Sequence, residues 1–199
     1  MPALAFTEQE VVKADTEIIR EFRHMPEKAI PRSVMRHARG LAIMKVLKVG
    51  LGVSGKGGEG VVVARTGHGW SGPAFIGTGG AGFGLQIGAE VTDFVFVLNN
   101  EDAVRAFSHG GNVTIGADVS AAAGPVGRHA EADVAPVAAI YTYSRSKGLF
   151  AGVSLTGAVI VSQEDANHRY YGKGVTPAEI LNGKASPPAG AHELIAALE

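Results

Sequence analysis

The sequence predicts an α+β fold, in which a mainly antiparallel β sandwich or barrel-like sheet is flanked by N-terminal, central and C-terminal helices. Three observations predict it. Apolar residues alternate with a period of two in several short runs, helix-capping patterns occur near both ends of the chain, and glycine accounts for 28 of the 199 residues. Glycine is therefore about twice as frequent as its usual ~7%. The length suits one domain that folds without disulfides or a structural metal.

The N-terminal helix is predicted over residues 8–24. Thr7 and Glu10 have the spacing of a capping box, and apolar residues follow at helical spacing. The polar face carries five acidic and three basic residues, whereas membrane-inserting helices usually have a basic polar face. Docking on the chain's own domain is therefore favoured over insertion. We divide the chain into an N-terminal amphipathic helix over residues 1–25 and a single domain over residues 26–199.

Further helices are predicted in three parts of the chain. Residues 32–42 place apolar side chains on one side and arginines on the other. A central helix over residues 101–109 is capped by Asn100. Near the C-terminus, one helix begins with the capping box of Thr176 and a last short helix covers residues 191–198.

Most of the remaining chain is predicted as strands. The period changes toward two from residue 43, and the glycine-rich segment 55–60 is expected to turn the chain into a second strand at 61–64. Further short runs that suit strands cover residues 73–76, 83–90, 94–98, 113–122, 138–144 and 153–161. Glycines at alternate positions leave one strand face without side chains, which predicts a close backbone approach or a sharp bend.

The charge distribution is strongly polarised, although the formal net charge is only −1. No acidic residue occurs between Lys28 and Lys56, and that segment carries +7 while the rest of the chain carries −8. We take its seven basic residues as candidate lipid-binding residues: Lys28, Arg32, Arg36, Arg39, Lys45, Lys48 and Lys56. Each Lys or Arg near an anionic surface contributes about 1 kcal/mol. The alternative is a solvated helix face followed by scattered strand lysines.

Nucleic acid is a second class of anion that such a segment could bind. The sequence pI of about 6.7 lies far below that of a dedicated nucleic-acid-binding protein. No aromatic residue interleaves with the basic segment, so base stacking has no support there. We expect no nucleic-acid partner.

An oxidoreductase is the remote enzyme alternative. Residues 77–82 match G-x-G-x-x-G, and Tyr143 and Lys147 match Tyr-x-x-x-Lys. A dinucleotide fingerprint must open a helix, but the sequence after residue 82 keeps a period of two, and Tyr143 also lies in a strand-like run. His129, with Glu131 and Asp133, has no second ligand cluster. We therefore expect no enzyme activity, cofactor or metal.

Several strings occur in a set order along residues 25–198. They are ARGLAI at 38–43, GEGVVVAR at 58–65, IGTGG at 76–80, GLQIGAE at 84–90, AGPVGR at 123–128 and YSRSKGLFAGVS at 143–154. Together they resemble the SYLF domain family, a lipid-binding module of actin-patch proteins. Residues 26–199 are accordingly interpreted as a single SYLF domain.

The resemblance implies a non-enzymatic module that binds phosphoinositides and other acidic membranes and is linked to endocytosis and membrane remodelling. It also implies actin association as a possible function, since fungal members have it. The basic segment matches the region in which the family's lipid and actin contacts are placed. The family's lipid binding is also attributed to an amphipathic N-terminal segment, from which the net-acidic helix at 8–24 departs. With no apolar run behind a basic N-terminus, we expect a cytoplasmic protein that is peripheral at membranes.

Overall fold

The computed structural model describes residues 6–25, 30–126, 138–148 and 157–199. For residues 81–86 and 147–148 it describes the backbone only. The helices are α1 (Glu8–His24), α2 (Arg32–His37), α3 (Glu101–Ser108), α4 (Glu164–Tyr171), α5 (Pro177–Leu181) and α6 (His192–Leu198). The strands are β1 (Gly40–Thr66), β2 (Gly69–Trp70), β3 (Ala74–Leu98), β4 (Asn112–Thr114), β5 (Ala121–Ala123), β6 (Ile140–Gly148) and β7 (Val159–Ser162). This is an α+β fold with flanking helices, as predicted.

One long hairpin dominates the sheet. β1 and β3 pair antiparallel from Gly40↔Leu98 to Val62↔Ala74, with a register shift between Leu51 and Val53. β6 pairs antiparallel with β3, and β5 adds to β6 as a parallel strand. β7 joins β3 to β4. The sheet is therefore mixed, but most of its pairings are antiparallel.

The hairpin curls back on itself into a half-barrel, because glycines allow two stretches of β1 to cross at close range. A Cβ atom on Gly60 would collide with the carbonyl oxygen of Ile43 and lie 2.8 Å from the Cα of Met44. A Cβ atom on Gly58 would lie 2.9 Å from the carbonyl oxygen of Lys45. The sequence predicted such a close approach at Gly50, Gly52, Gly80, Gly82, Gly84 and Gly88, whereas the structure shows it at Gly58 and Gly60, in the segment that was expected to turn.

Side chains on the two faces of the sheet form separate cores. One face packs with α3 and α5 around Met44, Phe94 and Phe96. The other face packs against α1 and α6 around Ile43 and Val95. α1 therefore serves as one layer of the second core, as the docking interpretation predicted.

The helices with clear caps begin where the sequence predicts. The Thr7 hydroxyl accepts a hydrogen bond from the Glu10 backbone N–H at 3.3 Å, and the Thr7 N–H donates to the Glu10 carboxylate at 2.7 Å. The Asn100 side chain accepts from the Ala103 N–H, and the Thr176 hydroxyl accepts from Glu179. These contacts satisfy backbone donors that a helix start leaves unpaired.

Several secondary-structure predictions were wrong, among them the strand at 113–122, which a turn at 116–118 divides into β4 and β5. α2 ends at His37 instead of near residue 42, because Gly40 already pairs with Leu98 in the sheet. The glycines at 55–60 do not turn the chain: they continue β1, which is 27 residues long. The short runs at 73–76, 83–90 and 94–98 are likewise parts of the single 25-residue strand β3, and α4 was not predicted at all.

The motifs behind the oxidoreductase alternative lie in strands. Residues 77–82 belong to β3, and Tyr143 belongs to β6. The Tyr143 hydroxyl donates to the carbonyl oxygen of Pro125 at 2.9 Å, and burial raises the pKa of this phenol further above its ordinary value. The Tyr143 hydroxyl is therefore engaged by the backbone of its own domain. The residues His129, Glu131 and Asp133 lie outside the described part of the chain.

Candidate anion-binding pocket

A cavity of about 790 Å³ opens where the C-terminal ends of α1 and α6 meet α2 and the end of β1. Basic side chains dominate its wall, and Glu199 is the single acidic side chain in the described lining. We call this cavity the arginine pocket; its lining residues are Arg20, Arg23, His24, Ile30, Arg32, Met35, Arg36, Arg65, Ala197, Leu198 and Glu199.

Helical spacing brings four of the arginines to one place. Arg20 and Arg23 are three residues apart near the end of α1, so they share a face of that helix. Arg32 and Arg36 are four residues apart on α2, and both are exposed. The buried Ile30, just before α2, lies in the wall between the two helices.

Arg65 is held in place from β1. Its Nε donates to the carbonyl oxygen of Ala38, and its Nη2 donates to that of Met35, both at 3.1 Å. The guanidinium also lies 4.4 Å from the ring centroid of Trp70, within cation–π range. These contacts satisfy carbonyl groups at the C-terminal end of α2 and orient the cation at the edge of the pocket.

Arg23 connects the N-terminal and C-terminal helices. Its Nη1 donates to the carbonyl oxygen of Ala197 at 2.6 Å. A guanidinium has five N–H donors, so this contact leaves others for an anion. The pocket is a junction of four elements that brings five arginines together.

The chemistry of the pocket suits a phosphorylated ligand. Guanidinium groups bind phosphate oxygens with paired, charge-assisted hydrogen bonds. A volume of about 790 Å³ falls within the range of small-molecule sites. Within the part of the chain that is described, no group of three or more His, Cys, Asp or Glu side chains is arranged to hold a metal ion.

Residues 79–199 match a family described as "Ysc84: Las17-binding protein actin regulator". The match covers more than half of the chain. The chain belongs to the Ysc84 family. This result confirms the resemblance to the SYLF domain.

Several curated relatives are similar over most of this Ysc84-family chain. LAS seventeen-binding protein 3 of Saccharomyces cerevisiae is 47% identical over 178 residues, which are 87% of this chain and 39% of that protein. SH3 domain-containing YSC84-like protein 1 of Homo sapiens is 44% identical over 195 residues, which are 94% of this chain and 57% of that protein. The chain thus spans roughly two fifths to three fifths of the length of these relatives.

The structure describes six of the seven predicted lipid-binding residues and places them in separate regions. Arg32 and Arg36 lie in the arginine pocket. Arg39 follows the end of α2 and lines a smaller cavity of about 310 Å³ between β1, α3 and α5. Lys28 lies outside the described residues. The expected single row of arginines is therefore divided, because the helix ends before Arg39.

The three predicted lysines lie farther along β1. The Lys45 ammonium is 3.4 Å from a carboxylate oxygen of the buried Asp93. Lys48 and Lys56 are partly exposed, and neither makes an ion pair with a described residue. Residues of β1 that are close in sequence are spread along an extended strand, so they cannot all reach one pocket.

Sequence reasoning missed three pocket arginines of this Ysc84-family chain. Arg20 and Arg23 were counted only as part of a net-acidic helix, although they stand together at its C-terminal end. Two arginines at the end of one helix, with Arg32 at the start of the next, could have indicated a shared anion-binding site. Arg65 gave no such signal, because only the curled strand brings it back beside α2.

A network of charged side chains fixes α1 on the sheet. Arg145 of β6 bridges Glu21 of α1 and the buried Asp93 of β3, to which its Nη2 donates at 2.6 Å.

Asp15 of α1 is almost fully buried, and neither carboxylate oxygen forms a regular hydrogen bond with a described group. Burial raises the pKa of Asp15 well above its ordinary value, while the Val61 backbone N–H and Lys45 oppose that rise.

Proposed function

We propose that this chain is a non-enzymatic module that binds phosphoinositides and other acidic membranes from the cytoplasmic side, with a role in endocytosis or membrane remodelling. The observation that carries the proposal is the convergence of Arg20, Arg23, Arg32, Arg36 and Arg65 on one cavity. In this proposal residues 26–199 form a single domain, and residues 1–25 form an N-terminal helix that docks on it and contributes Arg20 and Arg23 to the pocket.

The pocket is better suited to a headgroup than to a flat charged surface alone. A phosphoinositide headgroup carries several phosphates, and each can accept paired donors from a guanidinium. Arg23 and Arg65 are already held by backbone carbonyls, so binding would not have to immobilise them. Arg32 and Arg36 are exposed and would close on the ligand from α2.

A binding role agrees with the names of the family and its relatives, which refer to Las17 binding and to regulation of actin. Among the described residues, none of the helices combines the length and the apolar character needed to span a membrane. Membrane contact in this proposal is therefore made by folded surfaces.

Liposome sedimentation with a double charge reversal tests the proposal. Arg32→Glu with Arg36→Glu should weaken binding to phosphoinositide vesicles by about 30-fold or more, since each arginine near an anionic surface contributes about 1 kcal/mol. The matched control is Lys173→Glu with Lys184→Glu, which changes the net charge equally at exposed positions outside the pocket.

The control variant should lose only the smaller, salt-sensitive part of the binding. Equal losses in the two variants would show that net charge, and not the pocket, determines binding. Wild-type protein that stays in the supernatant with every phosphoinositide tested would refute membrane binding itself.

Actin binding is the second candidate function, and the family description favours it. Co-sedimentation with actin filaments at physiological salt, without lipid, separates it from the first. Wild-type protein that pellets with filaments under these conditions would support an actin-binding module. The same double reversal then tells whether filaments and lipids compete for the arginine pocket.

The oxidoreductase alternative can be tested directly by measuring NAD(P)H binding. It requires saturable binding of NAD(P)H, whereas the strand context of residues 77–82 predicts none. A titration followed by the fluorescence of the cofactor should be flat.

A further inference from the structure

His24 is the last residue of α1 and lies in the wall of the arginine pocket, where the proposed function gives it no role. Its side chain is exposed to solvent. Among the lining residues that the structure describes, it is the one whose side-chain charge ordinarily changes between about pH 5 and 8. A histidine at an anion site can therefore gain a positive charge when the anion arrives and lose it when the anion leaves.

A hydrogen bond to the helix backbone determines which ring nitrogen of His24 is free. Nδ1 lies 2.6 Å from the carbonyl oxygen of Arg20, one helical turn earlier. A carbonyl oxygen only accepts, so Nδ1 carries the proton and donates it. Nε2 is then the unprotonated nitrogen of the neutral ring, and no side chain or backbone group among the described residues forms a hydrogen bond with it. Nε2 is thus the atom that can take up a proton and donate it to an anion.

The side chains of Arg20 and His24 lie on the same face of α1, because four residues separate them. Both line the same cavity. An anion bound to the Arg20 guanidinium is therefore within the space that the imidazole also faces. Such an anion stabilises the charged form of a neighbouring histidine.

The charged groups that face the cavity come from every element that forms it. They are Arg20 and Arg23 of α1, Arg32 and Arg36 of α2, Arg65 of β1, and Glu199 after α6. Carboxyl and guanidinium groups ordinarily titrate outside the histidine range. A proton that the described pocket exchanges in that range is therefore exchanged at His24 or on the ligand.

The end of α1 provides a second reason for protonation. The last carbonyl groups of a helix carry partial negative charge, which opposes an anion at that end. The Arg20 carbonyl oxygen accepts from His24, and Arg23 crosses to the carbonyl oxygen of Ala197 at the end of α6. A charged imidazole at this position offsets the negative end of the helix that the anion approaches.

We propose that His24 is a ligand of the arginine pocket that takes up a proton from solvent at Nε2 when a phosphate-bearing anion binds. The new Nε2–H group donates to a ligand oxygen, and the proton returns to solvent when the anion leaves. This inference rests on the proposed function and adds regulation to the same site. Because the protonated form binds the anion, the affinity rises as the pH falls through the histidine range.

Calorimetric titration with inositol hexasulfate tests the inference. This soluble compound resembles a phosphorylated headgroup, but its sulfate groups keep their charge throughout the histidine range, so the protein alone titrates. The wild type should bind it about tenfold more tightly at pH ~6 than at pH ~8. Titrations in two buffers of different ionisation enthalpy should also show net proton uptake on binding at intermediate pH.

Three variants identify the group that takes up the proton. His24→Gln stays neutral and should bind like the wild type at pH ~8, about tenfold more weakly at pH ~6, and without proton uptake. His24→Lys stays charged and should bind at both pH values about as tightly as the wild type at the lower one. The matched control is His109→Gln, which should keep the wild-type pH dependence. His109 ends α3 with its Nδ1 2.6 Å from the carbonyl oxygen of Arg105, outside the arginine pocket.

The pH profile separates ligand binding from a purely structural role at the helix end. Equal losses of affinity at both pH values in His24→Gln would overturn the inference, as would proton uptake that persists in this variant. Failure of inositol hexasulfate to bind at either pH would overturn it too.

Sedimentation with phosphoinositide vesicles at the same two pH values separates the inference from the proposed function. Wild-type protein that binds vesicles with a pH dependence that His24→Gln leaves unchanged would overturn the inference and support membrane binding. Protein that binds inositol hexasulfate with the expected dependence on His24 but does not sediment with vesicles would support the inference for soluble anions and refute membrane binding.

Discussion

Gly60 lies where two stretches of β1 cross, and the lack of a side chain there allows the curl. A methyl group would meet the carbonyl oxygen of Ile43 and the Cα of Met44, which are backbone atoms that cannot rotate away. We therefore expect Gly60→Ala to lower the free energy of unfolding by about 3 kcal/mol. Gly55→Ala, with open space around its Cα, should change it by less than about 0.5 kcal/mol. Urea unfolding measures both, and equal effects would show that the close crossing is not what constrains Gly60.

Asp15 makes the docking of α1 dependent on pH. Burial raises the pKa of its carboxyl in the folded chain, so the folded state favours the protonated form. The associated stability is fully present below the unfolded value near ~3.9 and is lost as the pH rises through the folded value. Asp15→Asn cannot ionise, and it should raise the melting temperature by about 2–4 °C above the folded pKa, with a gap that narrows toward pH ~4. A gap independent of pH would mean that Asp15 does not titrate in this range.

At the scale of elements, the helices with side-chain caps could be predicted and the glycine-rich strands could not. Thr7, Asn100 and Thr176 each cap a helix that starts where the sequence indicates. α4 was missed because Gln163 makes no capping hydrogen bond. The continuity of β1 was missed because glycine at 55–60 is equally typical of a turn and of a strand in close backbone contact.

The candidate site was predictable only in part, for a related reason. Arg32 and Arg36 were found because helical spacing joins them locally. Arg65 reaches the pocket through a strand that leaves and returns over more than twenty residues, which no local pattern records. The arginine row also depended on where α2 ends, and that boundary is set by the pairing of Gly40 with Leu98.

The contact between α1 and the sheet depends on the two partners of Arg145. Asp93 is buried and Glu21 is partly exposed, so the two ion pairs should differ in strength. Arg145→Met should destabilise the fold by about 3 kcal/mol, since it removes a partner from a buried carboxylate. Glu21→Gln should cost at most about 1 kcal/mol and increase hydrogen exchange in α1. Thermal unfolding and exchange together measure the difference, and equal costs would contradict a buried role for Asp93.

For the whole molecule, the arginine pocket joins elements from both ends of the chain. An anion that neutralises it should stabilise the fold by mass action, by about 2.7 kcal/mol at a concentration 100 times its dissociation constant. We expect inorganic tripolyphosphate to raise the melting temperature of the wild type more than sodium chloride of equal ionic strength. In the Arg32→Glu, Arg36→Glu variant the two salts should act alike. A tripolyphosphate effect that persists in this variant would place the anion elsewhere.

The long hairpin also has a consequence for the order in which the chain folds. Val62 and Ala74 are 12 positions apart in sequence, whereas Gly40 and Leu98 at the other end of the same ladder are 58 apart. Closing the short loop first costs less chain entropy, so we expect pairing to start beside the β2 turn and to advance toward Gly40. The strand can fold over at Gly60 only after both crossing stretches are paired. The close crossing of β1 at Gly60 would therefore be a late event in folding.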